Sequence, residues 1–204
     1  MKAAGSDELV DLAVQVRRLA AQVQDLADRT AIGDLIDRYL LGLDEGAFDS
    51  ERARSVFTDD VELAFPPGTH HGLPGLVEFT KDFMGHWERT HHHASNYVID
   101  LDGDRADVAW HVVALHVHPG SPPPPAPGQH FQLGGRFDGT AVRTPDGWRL
   151  RRLALRVIWT TGIGIPSIAA TMARSRAADT RGDGQSAPVR AQPSKQRGAH
   201  NGQR

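Results

Sequence analysis

The feature that most narrows the folds open to this chain is a change of period. Before about residue 90 the apolar residues recur at three- and four-residue intervals, whereas beyond it they alternate between turn signals. Tyr97 to Asp100 and Ala106 to Val117 read as one hairpin around Asp102-Gly103, and Phe131 to Val142 with Trp148 to Trp159 as another around Pro145-Asp146-Gly147. Alternation gives each strand one apolar face, so the sheet needs a cover, and the helical segments ahead of it are the material available. The expectation is an α+β fold in which helices close one mouth of a curved antiparallel sheet.

Ahead of the sheet, Leu9, Leu12, Val16, Leu19, Val23 and Leu26 follow a 3-4-3-4-3 spacing, a heptad seam along one side of a helix. About three heptads are marginal as a free helix in water, so the seam must dock on its own domain or on a second subunit. A second helix is predicted from about Thr30, with Ile32, Leu35, Ile36, Tyr39, Leu40 and Leu43 facing the core and an end near Gly42 or Gly46. Tyr39 therefore points inward. Val56 to Leu63 reads as a helix end passing into a short strand before the Pro66-Pro67-Gly68 turn. Pro74 suits a first helical turn, and Leu76, Phe79, Phe83, Met84 and Trp87 form the next apolar face. Pro119 to Pro127 is expected as an exposed flap, because prolines cannot donate ladder hydrogen bonds. From Ala173 onward large apolar residues almost vanish, and disorder is expected. The chain thus divides into an amphipathic helix (1–27), a folded domain (28–172) and a tail (173–204).

With 204 residues the chain can fill one core, and with no cysteine it can hold no disulfide, thiolate metal site or cysteine nucleophile. The formal charge of −2 argues against nucleic acid as a partner, and no run approaches the roughly 20 apolar residues that span a bilayer. Asp7 and Glu8 stand where a secretory signal would be apolar, so a cytoplasmic protein is expected. Chemistry is left to His, carboxylate, Tyr and hydroxyl groups.

Those groups occur together. His92 stands four residues before Asn96 at the head of a strand, and Tyr39-Leu40-Leu41-Gly42-Leu43-Asp44 lies upstream. Four segments, Ala31 to Tyr39 with Asp44, Phe57 to Val61, His92 to Asn96 with Asp102 to Ala106, and Asp146 to Leu150, resemble the SnoaL-like polyketide cyclases and dehydratases of the nuclear transport factor 2-like superfamily. The resemblance runs from about Asp28 to Gly162 and implies a conical half-barrel of cystatin-like topology. Scytalone dehydratase and the bile acid 7α-dehydratases of that superfamily use a helix Tyr, a helix-end Asp and a strand His in one conical pocket. By that similarity Tyr39, Asp44 and His92 inherit the roles, and the spacing of five from Tyr39 to Asp44 matches. The implied function is a cofactor-independent dehydratase, cyclase or isomerase acting on a hydrophobic polyketide-like or steroid-like carbonyl compound. Two other readings compete: a non-catalytic small-molecule binding or assembly module, and the small subunit of an aromatic-ring dioxygenase. Fold alone does not choose among them.

In such a site a neutral imidazole removes a proton, a carboxylate on its other nitrogen fixes the tautomer, and a phenol stabilises the developing enolate. Phe65, Phe83, Trp87, Trp110, Val112 and Trp159 are the residues expected to line the pocket, with Asn96 orienting substrate. Two registers stay open. A three-residue loop at Leu101-Asp102-Gly103 puts Trp110, Val112, His116 and His118 on the His92 face, and a two-residue Asp102-Gly103 turn puts His111 there. Alternation sends His91 and His93 to the other face, so no metal site is expected; one built from His91, His93 and a third histidine is the alternative. Arg136 is read as a solvated strand residue that could also meet a carboxylate or an acyl-carrier phosphate, and Asp59-Asp60 as a helix-end and turn pair rather than catalytic carboxylates. A homo-oligomer is expected from the apolar outer sheet face and the N-terminal seam.

Overall fold

The computed structural model describes residues 4–66, 68–124, 126 and 128–165. The expected tail from residue 173 lies outside them. A single helix, α1 (Ala4–Asp44), stands where the sequence predicts two. Residues 26–32 contain neither Pro nor Gly, so nothing there stops the first helix before the second begins. It ends at Asp44, and Gly46 just beyond, with a φ of 63°, lets the chain turn back while its N–H bonds to the Leu43 carbonyl at 3.3 Å. Helix α2 (Ser50–Val56) is capped by Asp49, whose carboxylate accepts the Arg52 N–H at 2.8 Å, and runs directly into β1 (Phe57–Phe65). After β2 (Gly68–His71), α3 (Leu76–Met84) starts from Gly75 in the left-handed region at φ 77°, one residue beyond the expected Pro74.

Four long strands complete the domain: β3 (Arg89–Asp102), β4 (Arg105–Val117), β5 (His130–Thr144) and β6 (Gly147–Gly162). They form one sheet in the order β2-β1-β6-β5-β4-β3. The sheet is not wholly antiparallel as expected. Strand β1 leaves α2 at the end where β6 begins, Phe57 opposite Leu150, so those two strands run in parallel. The curvature comes from register shifts in β1–β6, β3–β4 and β5–β6 and from glycines in β5. A Cβ at Gly139 would lie 2.6 Å from the Arg152 carbonyl, and one at Gly135 2.9 Å from that of Arg156, so only glycine permits so close a fold of β5 on β6.

The concave face carries Val108, Trp110 and Val112 of β4, Leu133 and Phe137 of β5, and Leu150 and Leu153 of β6. It is covered by Ile32, Leu35, Ile36 and Tyr39 from the second half of α1 and by Leu76 of α3, all buried. One polar knot fastens the helix to the sheet. Asp28, buried where α1 meets the β5–β6 hairpin, accepts Arg143 at 2.6 Å, the Trp148 indole N–H at 3.0 Å and the Gln24 amide at 3.1 Å. Arg143 also bonds Asp104 at 2.8 Å and lies 4.6 Å over the Trp148 ring. The Arg143 hydrogen bond, with help from Trp148 and Gln24, outweighs burial and holds the Asp28 carboxyl below the usual carboxylate range. Asp28→Ala strands these donors and is expected to lower unfolding free energy in urea by about 2–3 kcal/mol. Asp104→Ala, which removes an exposed partner of the same arginine, should change it little.

Candidate active site

Helix α1 ends against β3, and its last residue meets the strand. The Asp44 Oδ1 lies 2.6 Å from His92 Nδ1 and accepts the Thr90 hydroxyl at 2.9 Å, while Oδ2 accepts the His92 backbone N–H at 2.9 Å. Burial raises the Asp44 pKa, but the bonds from the His92 ring, its N–H and Thr90 together exceed that effect, and the net direction is down. Asp44 is therefore a carboxylate at neutral pH and can only accept, which assigns the proton to Nδ1 and leaves Nε2 as the basic nitrogen at the cavity. Thr90 went unremarked in the sequence. Strand parity could have found it, since residues 90 and 92 share a face.

His92 opens onto a cavity between α1, α3 and the sheet. Tyr39, Leu43, Phe65, Phe79, Phe83, Met84, Val112, Ala114, His116, Leu133, Phe137 and Leu155 line it, with Pro66 and Thr80 at the side. Its volume is about 70 Å³, under half of the roughly 150 Å³ of a cavity that encloses benzene. Tyr39 is buried, stacks edge-on against Phe57 at 5.4 Å, and burial raises its phenol pKa, so it stays a neutral O–H donor. His116 is fully buried, meets the His92 ring at 5.4 Å in a T-shaped contact, and leaves both ring nitrogens without a partner among the described residues. Burial above all, then the neighbouring His92, pushes its pKa down from 6.5 to about 3, so it is a neutral imidazole.

The structure sorts the residues expected from sequence into three places. Tyr39, Asp44 and His92 come together, and Phe65, Phe83 and Val112 line the cavity. Trp87 and Trp110 do not reach it: Trp87 packs behind His116 and stacks on Phe131 at 5.8 Å, and Trp110 is sandwiched between Tyr97 and Phe137. Trp159 and Asn96 lie on the outer face. Trp159 covers Gly134, where an added Cβ would sit 2.2 Å from its ring, and Asn96 bonds the exposed His111 at 3.1 Å.

The cause of the Asn96 correction is a bulge in β3. Asp102 pairs with Arg105, so the turn is Gly103-Asp104, two residues long and one place later than either expected loop. Ser95 pairs with His111 and Val98 with Ala109, so Asn96 and Tyr97 together oppose Trp110. Asn96 adopts φ 57°, which asparagine tolerates better than most residues. The extra residue reverses strand parity, and His92 pairs with Ala114, sharing its face with Trp110, Val112 and His116. His118 lies past the end of β4, its Nε2 2.8 Å from the Ile163 carbonyl. Among the described residues no three His, Asp or Glu side chains are placed to hold a metal ion, so the alternative built on His91 and His93 has no third ligand. Arg136 pairs with Asp138 on the outer face at 2.9 Å, and Asp60 with Arg151 at 2.8 Å; the pair Asp59-Asp60 lies in β1, not at a helix end. No described helix is long and apolar enough to cross a membrane.

A curved sheet closed by helices is the cone-shaped fold that the chain shares with solved proteins of the nuclear transport factor 2-like superfamily. The model of the SnoaL-like domain matches residues 24–154, and the chain belongs to that family. It is 27% identical over 140 residues to the uncharacterized protein Rv2910c of Mycobacterium tuberculosis, covering 66% of this chain and 88% of that one. Among solved structures it is similar to a candidate scytalone dehydratase from Novosphingobium aromaticivorans, at 24% identity and TM-score 0.61, covering 71% of this chain and 93% of that one. It is also similar to the hexachlorocyclohexane dehydrochlorinase LinA-type3 of Novosphingobium barchaimii, at 22% identity and TM-score 0.59, covering 71% and 96%. At these identities the two structures establish the fold.

A buried imidazole held neutral has a thermodynamic signature. Below pH 6.5 the unfolded chain binds a proton at His116 that the folded chain refuses until about pH 3, so this group contributes stability above pH 6.5 that is lost as the pH falls. His116→Phe should therefore flatten the fall in urea stability between pH 6 and 4, by up to about 1.4 kcal/mol per pH unit. Equal slopes for the two proteins would show that His116 is protonated in the fold.

Proposed function

We propose that this chain is a cofactor-independent acid-base enzyme that removes a proton beside a carbonyl in a hydrophobic substrate and expels a leaving group from the next carbon. The observation that carries the reading is the 2.6 Å contact of Asp44 with His92 Nδ1, at the wall of an apolar cavity. His92 Nε2 takes the proton, and Asp44 stabilises the imidazolium that results. The Tyr39 hydroxyl donates to the carbonyl oxygen as negative charge develops there. The C–H electron pair becomes the new double bond and the leaving hydroxyl departs as water, with the proton returned from His92. His116, neutral and facing His92, adds no opposing charge to the imidazolium.

The cavity argues for substrate size. At about 70 Å³ it encloses less than a whole ring, so a monocyclic substrate or one ring of a polyketide-like compound would reach His92 and Tyr39 while extending through the open mouth. The relatives named for scytalone dehydration and for dehydrochlorination of hexachlorocyclohexane share the fold, and both names describe eliminations. A phenol facing the cavity favours the substrate with a carbonyl, since loss of halide from an alkyl ring develops no oxyanion for Tyr39 to meet.

A β-hydroxy cyclohexanone serves as probe, with exchange of its α-proton in D₂O followed by NMR alongside formation of the enone. The wild type should catalyse both. Asp44→Asn and His92→Ala are expected to lose about 10²- to 10⁴-fold in rate. Tyr39→Phe should lose about 10²-fold in kcat with KM nearly unchanged. No exchange by the wild type across a panel of cyclic ketones would leave the non-catalytic binding module as the better reading, and full activity in His92→Ala would remove His92 as the base.

A further inference from the structure

The first half of α1 lies outside the domain core. From Glu8 to Ala27 every described position is exposed, and Leu9, Leu12, Val16, Leu19, Val23 and Leu26 are each 55–68% accessible. The arm projects roughly 30 Å beyond the domain at 1.5 Å per residue. A helix of this length standing alone in water is marginal, and a continuous apolar seam along it adds cost. Something covers it.

Its own domain does not. The seam and the core-facing residues belong to one unbroken helix, so their directions around the axis are fixed relative to each other. At about 100° per residue, Leu9 to Leu26 point roughly 160° away from Ile32, Leu35, Ile36, Tyr39, Leu40 and Leu43. The arm therefore turns its apolar side away from the sheet that the second half of α1 covers.

The seam also specifies its partner. In the heptad frame Leu9, Val16 and Val23 occupy a, and Leu12, Leu19 and Leu26 occupy d. β-Branched Val16 and Val23 at two of the three a positions, with leucine at every d, favour two parallel strands over three or four. Ala13, Ala20 and Ala27 occupy e, with Glu8, Gln15 and Gln22 at g, so two copies in register place no like charges opposite each other at the flanks. At the next a and d positions stand Thr30 and Gly33, and the seam stops where Asp28 ties the helix to its own sheet. Because the core lies on the far side of each helix, the two domains hang on opposite sides of the paired arms.

We infer that residues 8–27 form a parallel two-stranded coiled coil with the same segment of a second copy of this chain. The inference does not rest on the proposed activity. The full chain should sediment at twice 22.2 kDa at micromolar concentration. Leu19→Glu, at an exposed site outside the domain core, should sediment as a monomer while keeping the thermal unfolding of the domain. Val16→Cys supplies the only thiol in a chain without cysteine, and in a parallel pair mild oxidation should link it to its own copy. A monomeric or trimeric wild type, a Leu19→Glu variant that stays dimeric, or a Val16→Cys variant that does not cross-link would each overturn it. Dissociation by Trp159→Glu, with Leu19→Glu still dimeric, would place the interface on the outer sheet face instead.

Discussion

The placement of Asp44 governs the rest of the site. It is the last residue of α1, where the negative end of the helix dipole disfavours a carboxylate, and it is largely buried besides. Three hydrogen bonds from β3, two of them from His92 and one from Thr90, offset both costs. Because those donors belong to residues two apart on one strand, the helix end fits at a single position along β3. That fixes how α1 lies across the sheet, and with it the turn of the helix that presents Tyr39 and Leu43 to the cavity. A neutral residue would suit the helix end better, and such a local conflict, kept and compensated, is what a site built for chemistry looks like.

Much of this was legible in the sequence because it follows from periods. The stripe from Ile32 to Leu43 gave the covering face of α1, alternation gave the long strands, and Asp-Gly pairs marked both hairpins to within a residue or two. The pairing of helix-end carboxylate with strand imidazole was legible only through resemblance, since spacing cannot say that residues 44 and 92 meet. What the sequence hid was parity. A period-two count predicts which side chains share a face only while no residue is extra, and each bulge adds one without changing composition or hydropathy.

Trp159 shows how the error propagates. Leu153, Leu155 and Val157 pair with Gly139, Phe137 and Gly135 on the inner face, and simple alternation would carry Trp159 inward with them. Instead Gly134 pairs with Trp159 while Gly135 pairs with Val157, so Ile158 is the extra residue and the indole emerges outside, lying over Gly134. The adjacent glycines Gly134-Gly135 were the available sign, since glycine inside a strand marks a bulge or a close approach of backbone. Trp87 and Trp110 were misplaced for another reason. Their apolar character was read correctly, but large rings are as useful for filling the base of a cone as for lining its mouth, and only packing decides between the two.

The bulge at Asn96 and Tyr97 joins shape to chemistry. Without it the hairpin pairing that starts at Asp102 and Arg105 would run on in step and set His92 against Leu115, on the outer face, with His91 and His93 turned toward α1. One residue in the left-handed region reverses that assignment, bends β3 toward the helix, and delivers the imidazole to the carboxylate. Asn96 thus acts on the site through the strand, although its own side chain faces away and bonds His111. The small inner residue beside His92 completes the effect: Ala114, directly across the ladder, leaves unfilled the space that a larger side chain would occupy. The cavity and the base that faces it therefore have one origin, an irregular sheet whose departures from ideal pairing fall next to its smallest residues.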